Sequence, residues 1–475
     1  MLEDQISVVQ ARIAELERLK SSTAQRRASS STLHHRPGLG NLLNQFYMQQ
    51  TSVSAEASAS EGPSIELPFI ILQALAHNFL HHAPKFGFFL DTQAFHDAVT
   101  SRTAAIAPNL PAVLVNVMYL WGVHLSEDPR LAAYEPALLS HALRSTAGSL
   151  VGTHPRTVLH SLQASVLLAY YFVRNTRFLE AKYHTSAAVS IAVSVGLHRV
   201  RGPGQQEGVG VLLPPRDAKE EGERIAAFWS VLTLNNCWVG LDDAPSNLVY
   251  GPGGLKIDTP WPVDTADYIE RPHLLPTQSS GTVSKFLANV PDDARSVPAL
   301  YAKGAILFEE GMRLGVRYRR NALPPPDPEF HALDNNIAAF TYMLPPLACK
   351  TLLVVHMLPH GAMIQLHRHF ATAHAPSRAK VLAAARAVED ALTKIDVPNV
   401  KLVNPVLAPL WTSACLVLIE EMKRQDKQRG VSGTEDLALE AALGSITAAM
   451  AVCAPHCRLM TVQLDVVRAH KAQSA

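Results

Sequence analysis

From Leu67 onward apolar residues recur at three- and four-residue spacing, and strand-like alternation is scarce, so the pattern predicts an all-α protein. The run LPFIILQALAHNFLHHAPKFGFF opens a helical domain placed at 65–470. Within it, residues 158–199 read as one helical hairpin. Leu159, Leu162, Val166, Leu167 and Tyr170 share the face of a first helix, and Asn175-Thr176 supply a turn. The second helix carries a narrow stripe of small or apolar residues, Ala181, Thr185, Ala188, Ala192 and Val195, over which another helix can approach closely. Gly196 suits a left-handed C-terminal cap. Further helices are predicted over 333–370, 377–395, 405–426 and 434–470, with surface loops around 202–215, 251–262 and 324–328. No repeat of constant period is evident, which favours one large irregular helical domain over a solenoid.

The first twenty residues follow a different rule. Leu2, Ile6, Val9, Ile13 and Leu16 alternate spacings of four and three, a heptad seam with Ile at a and Leu or Val at d that suits a parallel two-stranded coiled coil. Under three heptads is short for an isolated coil, so an amphipathic helix packing on its own domain is the other reading. Residues 21–64 are rich in Ser, Thr, Gln and Ala and read as a low-complexity linker. Arg12, Arg18, Lys20, Arg26, Arg27 and Arg36 make the upstream part basic; such charges contact phosphates or simply solvate a tail.

The 475 residues are 48% hydrophobic and 17% charged, enough to bury a large core. A formal charge of +1 gives no whole-protein field that would draw the chain onto nucleic acid or membrane. Met1 begins without a signal-like region, and apolar runs are expected to be interrupted before spanning length, so neither secretion nor membrane crossing is expected. Five scattered cysteines suit free thiols in a reducing compartment.

Three motifs stand in order along the domain. The hairpin carries Leu162-Gln163-Ala164, Tyr170-Tyr171 and Gly196-Leu197-His198-Arg199. Downstream come Glu223-Arg224, Phe228-Trp229, Pro245 and the loop Ile257-Asp258-Thr259-Pro260-Trp261-Pro262. The run from Leu352 to Phe370 contains Ile364-Gln365-Leu366-His367. Together, over roughly residues 66–420, they resemble the middle regulatory region of the fungal zinc-cluster transcription factors. The resemblance implies an all-helical regulatory domain, control of RNA polymerase II transcription in the nucleus, and a homodimer or a heterodimer with related factors. It also implies a small-molecule effector, and no catalysis. In the family, DNA is read by an upstream cluster of six cysteines holding two zinc ions. Here no cysteine precedes Cys237, so zinc and DNA binding are expected only through a module these residues do not supply. A smaller departure is Asn235-Asn236, where the family often has Asp-Arg. A reader-less protein that heterodimerises with full-length relatives is the alternative, and a helical enzyme without a recognisable motif a remote one.

Other chemistry was weighed and set aside. His356, His360, His367 and His369 lack a nearby acidic or thiol partner, and Pro359 is expected to interrupt the first pair, so they read as core or surface histidines rather than metal ligands. Cys453 and Cys457, around His456, lack a second pair and read as a helical cysteine pair. Asp242-Asp243 and Asp292-Asp293 lack the further carboxylate a magnesium site needs, having Ser246 and Ser296 there. Gly202, Gly204 and Gly208 miss dinucleotide spacing. Tyr170, Tyr171, Phe228, Trp229 and Trp238 either line an effector pocket or, more commonly for such residues, pack in the core. No catalytic, cofactor or metal residue is assigned.

Overall fold

The computed structural model describes residues 69–473, leaving out 101–111, 127, 151–154, 204–211, 239–245, 251–252, 272, 274, 322–326, 349, 398–401 and 430–433. The chain divides into Met1–Glu66 and Leu67–Ala475, and all described residues lie in the second unit. The candidate dimerisation residues Leu2, Ile6, Val9, Ile13 and Leu16 and the linker 21–64 therefore lie outside the described residues, as does Pro245.

The second unit is all-α, with no strand among the described residues. Its main helices are α1 (Phe69–His82), α2 (Thr92–Thr100), α3 (Ala112–His124), α4 (Glu135–Ala147), α5 (Pro155–Arg174), α6 (Phe178–Ser194) and α7 (Ala218–Trp238). There follow α8 (Val297–Asn321), α9 (Pro328–Met343), α10 (Leu352–His367), α11 (Ala375–Thr393), α12 (Leu407–Arg429), α13 (Thr434–Cys453) and α14 (Arg458–Ala472). The predicted hairpin is α5–α6. Its turn forms at Asn175-Thr176, with Thr176 in the left-handed region at φ 59°, and Gly196 takes φ 77° after α6. Ala181, Thr185, Ala188 and Ala192 are buried and α7 packs on α6; Val195 is only half-buried.

Helix α5 is buried along almost its whole length, and α3, α6 and α7 surround it. In the second half, α8 lies against α10 along a glycine seam. A β-carbon at Gly311 would stand 2.8 Å from the Ala362 carbonyl oxygen, and one at Gly315 would stand 2.4 Å from that of Gln365. Only hydrogen at these positions allows the two backbones to approach so closely. Helices α11 and α12 pack on α10, and α13 and α14 pack on α12 and on one another.

Two helix breaks and one unbroken proline differ from expectation. The predicted 333–370 helix is two helices, α9 and α10, because Pro345 and Pro346 stand in the 344–351 connection and a proline restricts the residue before it. Residues 434–470 likewise break into α13 and α14 around Pro455, so Cys453 and Cys457 flank a short 3₁₀ turn rather than share one helix. Pro359, conversely, does not interrupt α10; it sits buried inside the helix, where packing outweighs the missing amide donor. Leu437–His456 is long and apolar enough to cross a membrane by length and composition, against the expectation that no run reaches that length. In this fold its Leu439, Leu443, Ile446 and Met450 are buried, and α13 packs on α11, α12 and α14.

Asn235 and Asn236 build a buried hydrogen-bond network. The Asn235 amide donates to Ser246 Oγ at 2.9 Å, and the Asn236 amide to Tyr250 Oη at 2.7 Å. Tyr250 in turn donates to Glu309 Oε2 at 3.0 Å. Burial, reinforced by the adjacent Glu310, pushes the Glu309 carboxyl up from 4.5 to about 7. The folded state thus holds this proton more tightly than the unfolded chain. The group costs nothing below about pH 4.5; stability falls as pH rises from about 4.5 to about 7 and levels off above, by about 3 kcal/mol at most. Glu309→Gln is expected to be more stable than the wild type at pH 8 and no more stable at pH 4.5 in urea titrations; parallel pH profiles for the two proteins would contradict this.

Candidate functional site

The first two motifs lock together through their backbones. The His198 carbonyl accepts from the amides of Asp258 (2.9 Å) and Thr259 (3.2 Å). Thr259 Oγ1 donates to the Leu197 carbonyl at 2.5 Å and accepts from the Val200 amide at 3.0 Å. Asp258 accepts from the Gly281 amide at 2.7 Å. Leu197 and His198 are buried, whereas the Arg199 side chain is exposed. Trp229 on α7 donates its indole N–H to Pro260 at 2.6 Å and stacks on Trp261 at 4.5 Å between ring centroids. Phe228 is wholly core. Glu223 accepts from the Asp91 amide at 3.2 Å, and Arg224 forms a buried ion pair with Glu220 at 2.7 Å.

Gln163 shows why its residue type suits its place. The side chain is fully buried, and its Oε1 accepts from the Phe89 amide (2.7 Å) while its Nε2 donates to the Gly87 carbonyl (3.1 Å). It thereby clamps the turn after Ala83–Phe86, where Gly87 takes φ 71°. Gln163→Leu leaves both backbone groups without these partners and is expected to cost about 2–3 kcal/mol. Hydrogen exchange at the Phe89 amide should rise with it, and unchanged exchange there would contradict the clamp.

That turn forms one wall of a cavity of about 1560 Å³ bounded by segments of α1, α3, α5, α7, α8, α10 and α12. The volume exceeds the usual span of small-molecule pockets. Of the aromatics considered from sequence, Tyr170 and Trp229 line it. Tyr171, Phe228 and Trp238 do not, Tyr171 instead donating to Glu135 at 2.8 Å. The Tyr170 hydroxyl bonds Tyr301, which accepts from the Asn404 amide at 2.9 Å. Apolar surface comes from Leu353, Val403 and Leu407, and the second motif adds Pro262.

The remaining face is basic: His81, His82, Lys85, Arg174, Lys350 and His456 all line the cavity. Burial, then the charges of Lys85, His81 and Arg174, pushes His82 down to about 4. Burial and the proximity of Lys350 and Arg174 lower Lys85 as well. Of these residues only His456 was weighed from sequence, beside Cys453 and Cys457 as a metal candidate. The available signal was Arg174, which follows the apolar run Tyr170-Tyr171-Phe172-Val173 and stands one helical turn beyond Tyr170, on the same face.

No family model, curated protein or solved structure matches this chain. Its own geometry carries the argument.

The metal candidates divide among structural roles. His356 bonds the Pro345 carbonyl at 2.9 Å, and burial pushes His360 down to about 4. His367 bridges Asp334 (3.1 Å) and Ser377 (3.0 Å), tying α9 and α11 to α10, and His369 is exposed. No group of three or more His, Cys, Asp or Glu side chains converges among the described residues. Cys453 and Cys457 are buried, Cys453 pushed up to about 11 mainly by burial. Asp292 accepts from Lys303 and from the Trp261 indole, while Asp242 and Asp243 lie outside the described residues. Gly202 sits in the turn after Arg199, and Gly204 and Gly208 lie outside the described residues.

Proposed function

We propose that this chain is a nuclear transcription regulator of the fungal zinc-cluster type, contributing an all-helical regulatory domain that acts by recognition rather than catalysis. The observation that carries the reading is the meeting of the family-like motifs on one cavity. Tyr170 from the first, Trp229 and Pro262 from the second and Leu353 from the third all line it. A chamber assembled from separate motif segments suits a domain whose packing responds to a ligand. In this reading DNA and zinc belong to a six-cysteine module that these residues do not provide, since no cysteine precedes Cys237. Leu2, Ile6, Val9, Ile13 and Leu16 would pair two copies, or this chain with a related factor; a chain lacking residues 1–64 that stays dimeric in light scattering would remove that part.

The test is a fusion of the full chain to an unrelated DNA-binding domain at a reporter promoter in a fungal host. Reporter transcription is expected to change several-fold relative to the DNA-binding domain alone. No change in either direction would overturn the regulatory reading.

A further inference from the structure

Arg174 ends α5 with 2% of its surface exposed, and neither it nor Lys85 has a carboxylate partner among the described residues. Buried guanidinium groups normally pair with an acid, because a charge removed from water needs a compensating one. The hydrogen bonds of Arg174 are to neutral groups, and Cys457 and Cys453 are its other electrostatic neighbours, the Cys453 thiol pushed up to about 11 mainly by burial. Its Nη2 donates to the His456 carbonyl, and its Nε donates to His124 Nε2 at 3.4 Å. The Phe86 ring lies 5.3 Å from its guanidinium carbon, and Nη1 has no hydrogen-bond acceptor. Glu135 is spent on the far side of His124, accepting from its Nδ1 at 2.8 Å and leaving Nε2 as the acceptor. Lys85, Lys350, His81 and His82 add positive or protonatable groups to the same face; burial first, then the charges of Lys85, His81 and Arg174, lowers His82. Among the lining residues Asp264 is the acidic one, and its charged neighbours are Asp267 and Arg271, not Arg174.

We propose that this face of the cavity binds the carboxylate or phosphate head of a small organic anion, whose apolar remainder lies against Trp229, Leu353 and Leu407. The head supplies the charge that Arg174 lacks, in the planar geometry that guanidinium favours. Tyr170, one helical turn away on α5, and Asn404 beyond Tyr301 offer neutral polar groups to the ligand body. Exposed His81, Lys350 and Arg458 at the rim draw an anion inward. As a binding site the proposal stands on this geometry; as an effector site it rests on the regulatory role proposed above.

Isothermal titration calorimetry on the intact chain tests it with octanoate, octyl phosphate and uncharged octanamide. At least one anion is expected to bind ten-fold or more tightly than the amide, and the better anion identifies the head group. Arg174→Met should erase that preference while circular dichroism shows a helical fold. Equal binding of amide and anions, or a preference that survives Arg174→Met, overturns the site. Should Arg174→Met fail to fold, Lys85→Met, a half-buried position in a short 3₁₀ turn, takes its place: a loss of anion affinity of three-fold or more supports the site, and unchanged affinity overturns it. Anion binding without any reporter response would end the effector role and leave the site, whereas an active reporter fusion without anion binding would do the reverse.

Discussion

Replacing Gly315 with leucine is expected to destabilise the domain by about 3 kcal/mol or more, because the new side chain has no room between α8 and α10. Its β-carbon alone would meet the Gln365 carbonyl oxygen at 2.4 Å, and a backbone atom cannot turn aside as a side chain does. Relief requires the helices to part, which also opens the contacts at Gly311 with Ala362 and at Gly304 with Leu358. Even Gly315→Ala should destabilise, although alanine is the better helix former by about 1 kcal/mol. Gly444 on α13 provides the contrast. Nothing lies within 4 Å of a β-carbon there and the position is exposed, so Gly444→Ala should stabilise by about 0.5–1 kcal/mol. Urea unfolding followed by far-ultraviolet circular dichroism compares the three variants. A Gly315→Ala protein as stable as Gly444→Ala would show that α8 and α10 do not touch as described.

Trp121→Ala should be comparably damaging, at about 3–5 kcal/mol. The indole is completely buried and stacks on Phe86 with ring centroids 4.3 Å apart, and its N–H donates to the Leu167 carbonyl at 3.1 Å. That carbonyl also lies inside α5, where the helix ladder supplies a donor, so the main loss is packing rather than an orphaned acceptor. The damage should spread to the basic face, since Phe86 stands between Trp121 and Arg174. Trp121→Phe retains most of the ring contact and should lose about half as much. If Trp121→Ala left the urea midpoint within error of the wild type, Trp121 could not be the packing centre of this half.

The hairpin was legible because both of its signals are local: apolar spacing on α5 and small residues on α6, separated by a turn and closed by Gly196. The helix breaks at Pro345-Pro346 and Pro455 were open to the same reading, yet continuous apolar spacing on either side masked them. Pro359 misled in the other direction, since proline's cost is local and the packing that offsets it is not. The glycine seam of α8 carries its own signature, Gly304, Gly311 and Gly315 on one helical face, but its partner on α10 is not visible from spacing. The candidate site was only half legible. Tyr170 and Trp229 stood among aromatic candidates because the motifs drew attention to them, whereas the basic face gathers His82 and Lys85, Arg174, Lys350 and His456 from four distant stretches. No one-dimensional pattern announces such a convergence.

The bond from Arg174 to the His456 carbonyl spans 282 positions of sequence. Chains emerge from the ribosome amino end first and fold as they emerge. The hairpin and the helices around it can therefore assemble long before residue 456 is made, with a buried cation still waiting for that acceptor. Contacts this distant form late and carry a large loop-closure cost. A chain cut short by a premature stop just before Pro455 would contain the three motifs and, among the described main helices, all but α14, yet its Arg174 would lack this carbonyl and the chamber would have an open side. The chamber thus gains this wall only once residue 456 has been made, long after the hairpin that supplies Arg174.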